Sequence, residues 1–245
     1  MSSLLALLLA LLLPAAGLPP ASRDLDYQLG GVRPVPARVG TVVRDRRAAP
    51  LPGRYNVCYV NAFQTQPGEL GFWAGRPGLV LRDRGRPVVD GAWGERLLDL
   101  RTPAKRARLA AIVGRWTDRC AADGYQGVEL DNLDSFTRSR GLLTARQATR
   151  YARLLVARAH AAGLAVAQKN RAGWDGRVVG FDFAIAEECG RWRECRAYVG
   201  HYGRAVLAVE YRERDFRRTC RIWGDRLPVV RRDLGLRPGG VRRFC

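Results

Sequence analysis

The stretch "GYQGVELDNLDSF", residues 124–136, starts on a glycine, crosses a short apolar run and then brings Glu129, Asp131, Asn132 and Asp134 close together. On a strand, residues 129 and 131 share one face, while Val128 and Leu130 take the other. The segment therefore reads as a strand that runs out into polar groups at its C-terminal end. The same pattern recurs along the chain. "VCYVNA" ends in Asn61, "VAQKN" in Lys169 and Asn170, "FAIAEE" in Glu187 and Glu188, and "LAVEY" in Glu210.

Working outward from this segment, eight strand candidates can be read: "DYQLGG", "TVVRD", "YNVCYV", "GVELDN", "LAVAQK", "FDFAIA", "VLAVEY" and "LPVVRRD". Helical patterns lie between several of them. In residues 103–124, Leu109, Ile112, Val113 and Trp116 fall at helical spacing, with Gly124 beyond the end. Residues 144–163 start on Thr144 as an N-cap and stop at Gly163. Short, nearly continuous apolar strands alternating with helices indicate parallel strands covered by helices. About eight strands, with no GxGxxG or P-loop, favour an α/β fold of one (β/α)8 TIM barrel over an open doubly wound sheet. In such a barrel the C-terminal strand ends meet on one face, where active sites are built.

No internal repeat or linker divides the chain, so residues 18–245 are expected to form one domain. Residues 1–17 read as a secretory signal peptide: Leu4–Leu13 is apolar but too short to span a bilayer, and Pro14 and small residues follow. An uncleaved anchor is the alternative. No later stretch reaches transmembrane length, so no stable membrane insertion is expected after cleavage. An even set of cysteines (Cys58, Cys120, Cys189, Cys195, Cys220 and Cys245) without a CxxC fits disulfides in an oxidising compartment better than zinc. Spacing suggests Cys189 with Cys195 and Cys220 with Cys245, leaving Cys58 with Cys120. The expected location is extracellular or in a cell wall.

The formal net charge is +19, and of the 42 basic residues only Lys105 and Lys169 are lysine. The arginines are scattered from Arg23 to Arg243 without an aromatic-interleaved run, so a solvated surface is expected and a nucleic-acid partner is not. A lysine retained at a strand end, Lys169, suggests a site that needs a compact ammonium group.

Chemistry narrows by exclusion. With only His160 and His201, and no GxSxG, a Ser-His-Asp triad is improbable. Bridged cysteines leave no thiol nucleophile. Without histidines or a calcium-loop spacing, a metal site is disfavoured, and no cofactor is expected. Paired carboxylates remain, and glycoside hydrolysis needs a pair: one acid for the leaving oxygen and one carboxylate as nucleophile or base. Tyr59, Trp93 and Tyr211 are aromatic candidates for stacking against sugar rings, and Asn61 is a polar one at a strand end.

The segments "YNVCYVNAFQTQPGE", "GAWGERLLDLR", "GYQGVELDNLDSF", "LAVAQKN" and "FDFAIAEEC", with the spaced terminal cysteines, together resemble glycoside hydrolase family 114 over roughly residues 25–245. Its members are TIM-barrel enzymes described as endo-α-1,4-polygalactosaminidases. The resemblance implies that Asp131 and Glu187 are the catalytic carboxylates. It also implies that Trp93, Glu95, Glu129, Asn132, Lys169, Asn170 and Glu210 line the cleft. Leu130 stands where many members have Pro, Ala186 where many have Asn, and Glu188 adds a second acid beside Glu187. The resulting expectation is a secreted, monomeric endo-glycosidase acting on an amino-sugar polysaccharide, with a non-catalytic wall-binding barrel as the alternative. A cationic polymer would be repelled by a +19 protein unless the mouth itself is acidic.

Overall fold

The computed structural model describes residues 17–245. The apolar run Leu4–Leu13 lies outside the described residues. Among the described residues, eight parallel strands lie side by side in chain order. They are β1 (Asp24–Gln28), β2 (Val39–Asp45), β3 (Tyr55–Asn61), β4 (Gly127–Asp131), β5 (Ala165–Lys169), β6 (Phe183–Glu187), β7 (Val206–Glu210) and β8 (Val229–Arg232). A short β9 (Arg242–Phe244) pairs antiparallel with the outer edge of β8. The helices of eight residues or more are α1 (Pro103–Ala122), α2 (Ala145–Ala161), α3 (Cys195–Tyr202) and α4 (Glu213–Trp223).

The two-residue period of each strand divides the core in two. Leu25, Tyr27, Val57, Phe183, Ile185 and Leu207 fill the barrel interior. Their chain neighbours on the opposite faces, among them Val128, Leu130, Val166, Ala184 and Ala208, pack outward against the helices. Burial on both faces is why these strands read as apolar runs rather than as an alternation.

The two long helices follow from local chemistry. The Thr102 hydroxyl accepts from the Lys105 backbone N–H, and Pro103 takes the first helical position of α1, where no amide donor is needed. In α2, Thr144 and Gln147 form a reciprocal capping box, and Tyr151, Leu155 and Ala159 are buried along one stripe. Gly124 and Gly163 follow these helices with φ of 95° and 79°, the left-handed turn that glycine tolerates without strain.

The barrel departs from one helix per strand. Residues 29–38 and 46–54 cross from β1 to β2 and from β2 to β3 without a helix, and β5 reaches β6 through a single 3-10 turn, Gly176–Val179. The first two links contain Pro, Gly and Arg but no apolar stripe that a helix could bury. The α3 helix, in turn, spans about two turns, too short for its periodicity to stand out in sequence.

The seam between β1 and β8 carries no backbone ladder. Charge bridges it instead. Asp26 on β1 is fully buried and pairs with Arg242 of β9 at 2.8 Å, with the Arg33 and Arg232 guanidiniums each at 3.7 Å. Arg232 is itself 1% exposed and donates to the Val241 carbonyl at 2.8 Å. Disulfides add three further ties: Cys58–Cys120 links β3 to α1, Cys189–Cys195 closes the turn after β6, and Cys220–Cys245 links α4 to the residue after β9. Among the described residues no helix is long and apolar enough to cross a membrane.

Removing one partner from a buried charge cluster leaves uncompensated charge, which typically costs about 3–5 kcal/mol. Asp26→Ala is therefore expected to lower stability by about that amount in guanidinium denaturation. A loss below about 1 kcal/mol would show that the seam does not depend on this carboxylate.

Candidate active site

The interior faces of β4, β5 and β6 deliver their last side chains to one point. That point is the Lys169 ammonium, 2% exposed at the end of β5. Its Nζ lies 2.7 Å from Glu129 Oε1, 3.5 Å from Asp131 Oδ1 and 3.3 Å from Glu187 Oε2. Burial alone would lower the pKa of this amine. Asp131, Glu129 and Glu187 overrule it and hold the ammonium well above its ordinary value.

Each upper carboxylate has its own phenol. Tyr59 Oη donates to Asp131 Oδ2 at 2.7 Å, and the Asn132 backbone N–H donates to Asp131 Oδ1 at 2.7 Å. Tyr211 Oη donates to Glu187 Oε1, and Asn170 Nδ2 donates to Glu187 Oε2 at 3.2 Å. Beneath them Glu129 is fully buried, accepting from Tyr27 Oη at 2.6 Å, and Tyr27 Oη in turn accepts from Lys169 at 2.9 Å. Burial pushes the Glu129 carboxyl up to about 7 against the pull of Lys169.

The strand ends share a backbone feature. Asn132, Asn170 and Glu188 each follow an inward-facing residue of this cluster, and they have φ of 67°, 53° and 55°. A left-handed residue turns the chain out of the barrel as soon as the functional side chain has been presented. Asn adopts this conformation more easily than most residues, which accounts for two of the recurring carboxamides.

Above this centre opens a cleft of about 640 Å3, within the usual range for ligand sites. Its walls carry five carboxylates (Asp90, Glu95, Asp131, Asp134 and Glu187) against two cations, Arg138 and Lys169. Arg138 ties the acidic wall together, bonding to Asp90 at 2.7 Å, Asp134 at 2.9 Å and Asn132 Oδ1 at 3.0 Å. Burial pushes the Glu95 carboxyl up to about 7, although it accepts from Asn61 at 2.9 Å. Trp93 stands on the rim, 56% exposed.

A model of glycoside-hydrolase family GH114 matches residues 11–245 of this sequence. The chain belongs to family GH114. It is a glycoside hydrolase. The fold is similar to that of Aspergillus fumigatus Ega3, in a structure with galactosamine: TM-score 0.76 and 18% identity, covering 94% of this chain and 98% of that one. It is also similar to the glycoside hydrolase domain of PelA from Pseudomonas aeruginosa: TM-score 0.62 and 17% identity, covering 91% and 98%. Comparison with curated proteins gives no match.

In this GH114 chain, the residues expected at the site divide into three groups. Tyr59, Trp93, Glu95, Asp131, Asn132, Lys169, Asn170, Glu187 and Tyr211 all line the cleft. Asn61 and Glu129 do not. Asn61 is 2% exposed and braces Glu95 and Asn132, and Glu129 lies under Lys169, so both support the lining rather than contact a ligand.

Glu210 is a correction. It shares the face of Val206 and Ala208, which points out of the barrel, and accepts there from the Gly190 N–H at 2.7 Å and the Thr219 hydroxyl at 3.0 Å. Its neighbour Tyr211 takes the inward place. Glu188 also turns away, pairing with Arg191 at 2.8 Å, which leaves Glu187 as the acid of that pair in the cleft. Asp134 makes no helix-capping bond and pairs with Arg138 instead. Sequence reasoning missed Tyr27, Asp90 and Arg138. Tyr27 lay within a strand candidate whose facing could have been counted from its parity, whereas Asp90 and Arg138 sit in loops with no such signal.

Two expectations follow. Lys169→Arg puts a broad planar group where a compact ammonium meets three carboxylates, and kcat should fall about 10^2-fold in a variant that still unfolds cooperatively, with stability lowered by about 1–3 kcal/mol from overpacking. Full activity would remove Lys169 from the positioning of the pair. The second concerns Glu210, whose carboxyl burial pushes up to about 7. A folded-state pKa above the unfolded value near 4.5 gives stability that is complete below that value and lost as pH rises through 7. The isosteric Glu210→Gln should therefore melt on the order of 2–4 °C above the parent at pH 8 and show a smaller difference between pH 5 and pH 8. Identical pH profiles of the melting temperature would contradict this.

Proposed function

We propose that the protein is a secreted endo-glycosidase that hydrolyses an amino-sugar polysaccharide of the polygalactosamine kind, with Asp131 and Glu187 as its carboxylate pair. The observation that carries this reading is the pair itself. Two carboxylates face one cleft from adjacent positions about a single buried ammonium, each steadied by a tyrosine. The acidic wall supports the amino-sugar assignment, because five carboxylates in the mouth reverse the sign of the molecule's +19 charge where the ligand lies. The galactosamine in the similar Ega3 structure supports the same class. Three disulfides and the apolar N-terminal run support an extracellular location.

Asp131 is assigned as nucleophile. Its Oδ1 accepts from the Asn132 amide and lies beside Lys169, and in this role it attacks the anomeric carbon. Glu187 is assigned as the acid. In that role Glu187, which faces the cleft beside the Tyr211 hydroxyl, gives its proton to the leaving glycosidic oxygen. The bond to the leaving sugar breaks as the bond to Asp131 forms. Glu187, now a carboxylate, then takes a proton from the water that releases the glycosyl group from Asp131. Because Asp131 Oδ1 and Glu187 Oε2 lie 3.5 and 3.3 Å from one nitrogen, their separation cannot exceed the sum of those distances. That limit on the two nearer oxygens is compatible with the spacing of about 5–5.5 Å typical of retaining enzymes.

The test is digestion of a de-N-acetylated galactosamine polymer and of its fully N-acetylated counterpart, with anomeric configuration followed by NMR. Shorter oligomers with retained configuration are expected from the de-N-acetylated polymer. Asp131→Asn and Glu187→Gln should each lose on the order of 10^3-fold in kcat. Cleavage by either variant at the parent rate would remove that residue from the mechanism, and a preference for the acetylated polymer would overturn the amino-sugar assignment.

A further inference from the structure

A second cavity, about 400 Å3, lies on the barrel flank between the turn after β6 and helix α4. Its character is opposite to that of the cleft. Four of its ten lining residues are arginines (Arg193, Arg196, Arg218 and Arg221), whereas the cleft carries one arginine among nineteen.

The charge in this cavity is not cancelled. Arg193, Arg196 and Arg221 are exposed and make no ion pair among the described residues. Arg218 reaches the buried Asp215 only at 3.8 Å and donates to the Gly190 carbonyl at 3.3 Å. Glu194, between two of the arginines, does not line the cavity. Like-charged guanidiniums facing one space raise each other's energy unless an anion enters it.

The remaining lining is apolar and rigid. Ile222, 54% exposed, and the half-buried Trp223 provide a surface against which a sugar ring can lie. The floor is the buried Cys189–Cys195 disulfide beside Gly190, where an added Cβ would stand 1.8 Å from the Thr219 hydroxyl oxygen. The opposite wall, α4, is pinned through Cys220 to Cys245. Both walls are thus cross-linked, so the backbone that carries the arginines needs little ordering on binding.

From this we infer that the flank cavity between Arg193, Arg196, Arg218 and Arg221 is a second carbohydrate site, one that takes an anionic sugar bearing sulfate, phosphate or carboxylate groups. Guanidinium forks match such oxyanions in geometry, and the Trp223 and Ile222 surface matches the sugar ring between them. An open cavity of this volume admits one or two sugar rings, whereas duplex nucleic acid requires an extended basic stripe. The site gives the enzyme a hold on an acidic glycan while the acidic cleft works on a cationic one. It rests on different residues from the catalytic centre and stands whether or not the substrate assignment does.

The test is calorimetric titration of the full chain with a sulfated tetrasaccharide and, separately, with tetragalacturonate, at low and at high salt. Saturable 1:1 binding to at least one of them is expected, weakened by salt. The double variant Arg196→Glu/Arg221→Glu should bind at least about tenfold more weakly. Arg108→Glu/Arg115→Glu, which makes the same change of charge on exposed positions of α1, should bind within about twofold of the parent. Which of the two sugars binds distinguishes sulfate from carboxylate recognition. No saturable binding to either sugar would overturn the inference. So would equal weakening in both double variants, or competition by duplex DNA that both variants lose alike, since either marks diffuse charge rather than a site. Hydrolysis is measured in parallel, so a failed substrate assignment is distinguishable from a failed flank site.

Discussion

A single ammonium group, buried at the end of the fifth strand, holds the active face together. Lys169 would be costly to bury as a charge without partners, and three carboxylates would be costly to crowd together without a cation. Each side of this arrangement makes the other tolerable. Glu129 and Tyr27 hold the ammonium from below, and Asp131 and Glu187 take it from above. The spacing of Asp131 and Glu187 is therefore tied to one nitrogen atom rather than to loop conformation. The protein uses lysine here, although nearly every other cation it carries is arginine, because a point charge with three freely directed donors can serve three acids at once.

The molecule also separates its charges. The arginines cover the outside, close the seam at Asp26 and gather on the flank, while the mouth is acidic. Net charge therefore says little about the ligand. Within a cleft walled by protein, nearby carboxylates act through a medium that screens them less than water does, and arginines on the far surface are screened within about a Debye length. A total of +19 averages over a surface whose parts carry opposite charge.

Strand grammar made much of this legible. In "GVELDN" the parity of Glu129 and Asp131 places both inside the barrel, and both are inside. The same count applied to "LAVEY" puts Tyr211 inward and Glu210 outward, yet proximity to a strand end and the family resemblance both favoured Glu210. Parity was the better guide, since a one-residue step reverses the face. The positive φ at Asn132 and Asn170 explains why carboxamides mark these ends, and Glu188 shows that the backbone demand persists where the residue type does not advertise it.

The sequence by itself determined the eight strands and the two long helices and suggested the two short-range disulfides, because periodicity, caps and short chain separations are local or nearly local quantities. It also pointed to Asp131, Lys169 and Glu187 as residues of one face, since parallel strands in a barrel share their C-terminal end. Only the tertiary structure decided that Lys169 stands between the two carboxylates, that Asp90 and Arg138 complete the acidic wall, and that four arginines meet on the flank. Those facts depend on distances between segments far apart in the chain, and a strand or loop residue carries no local record of what faces it across a barrel.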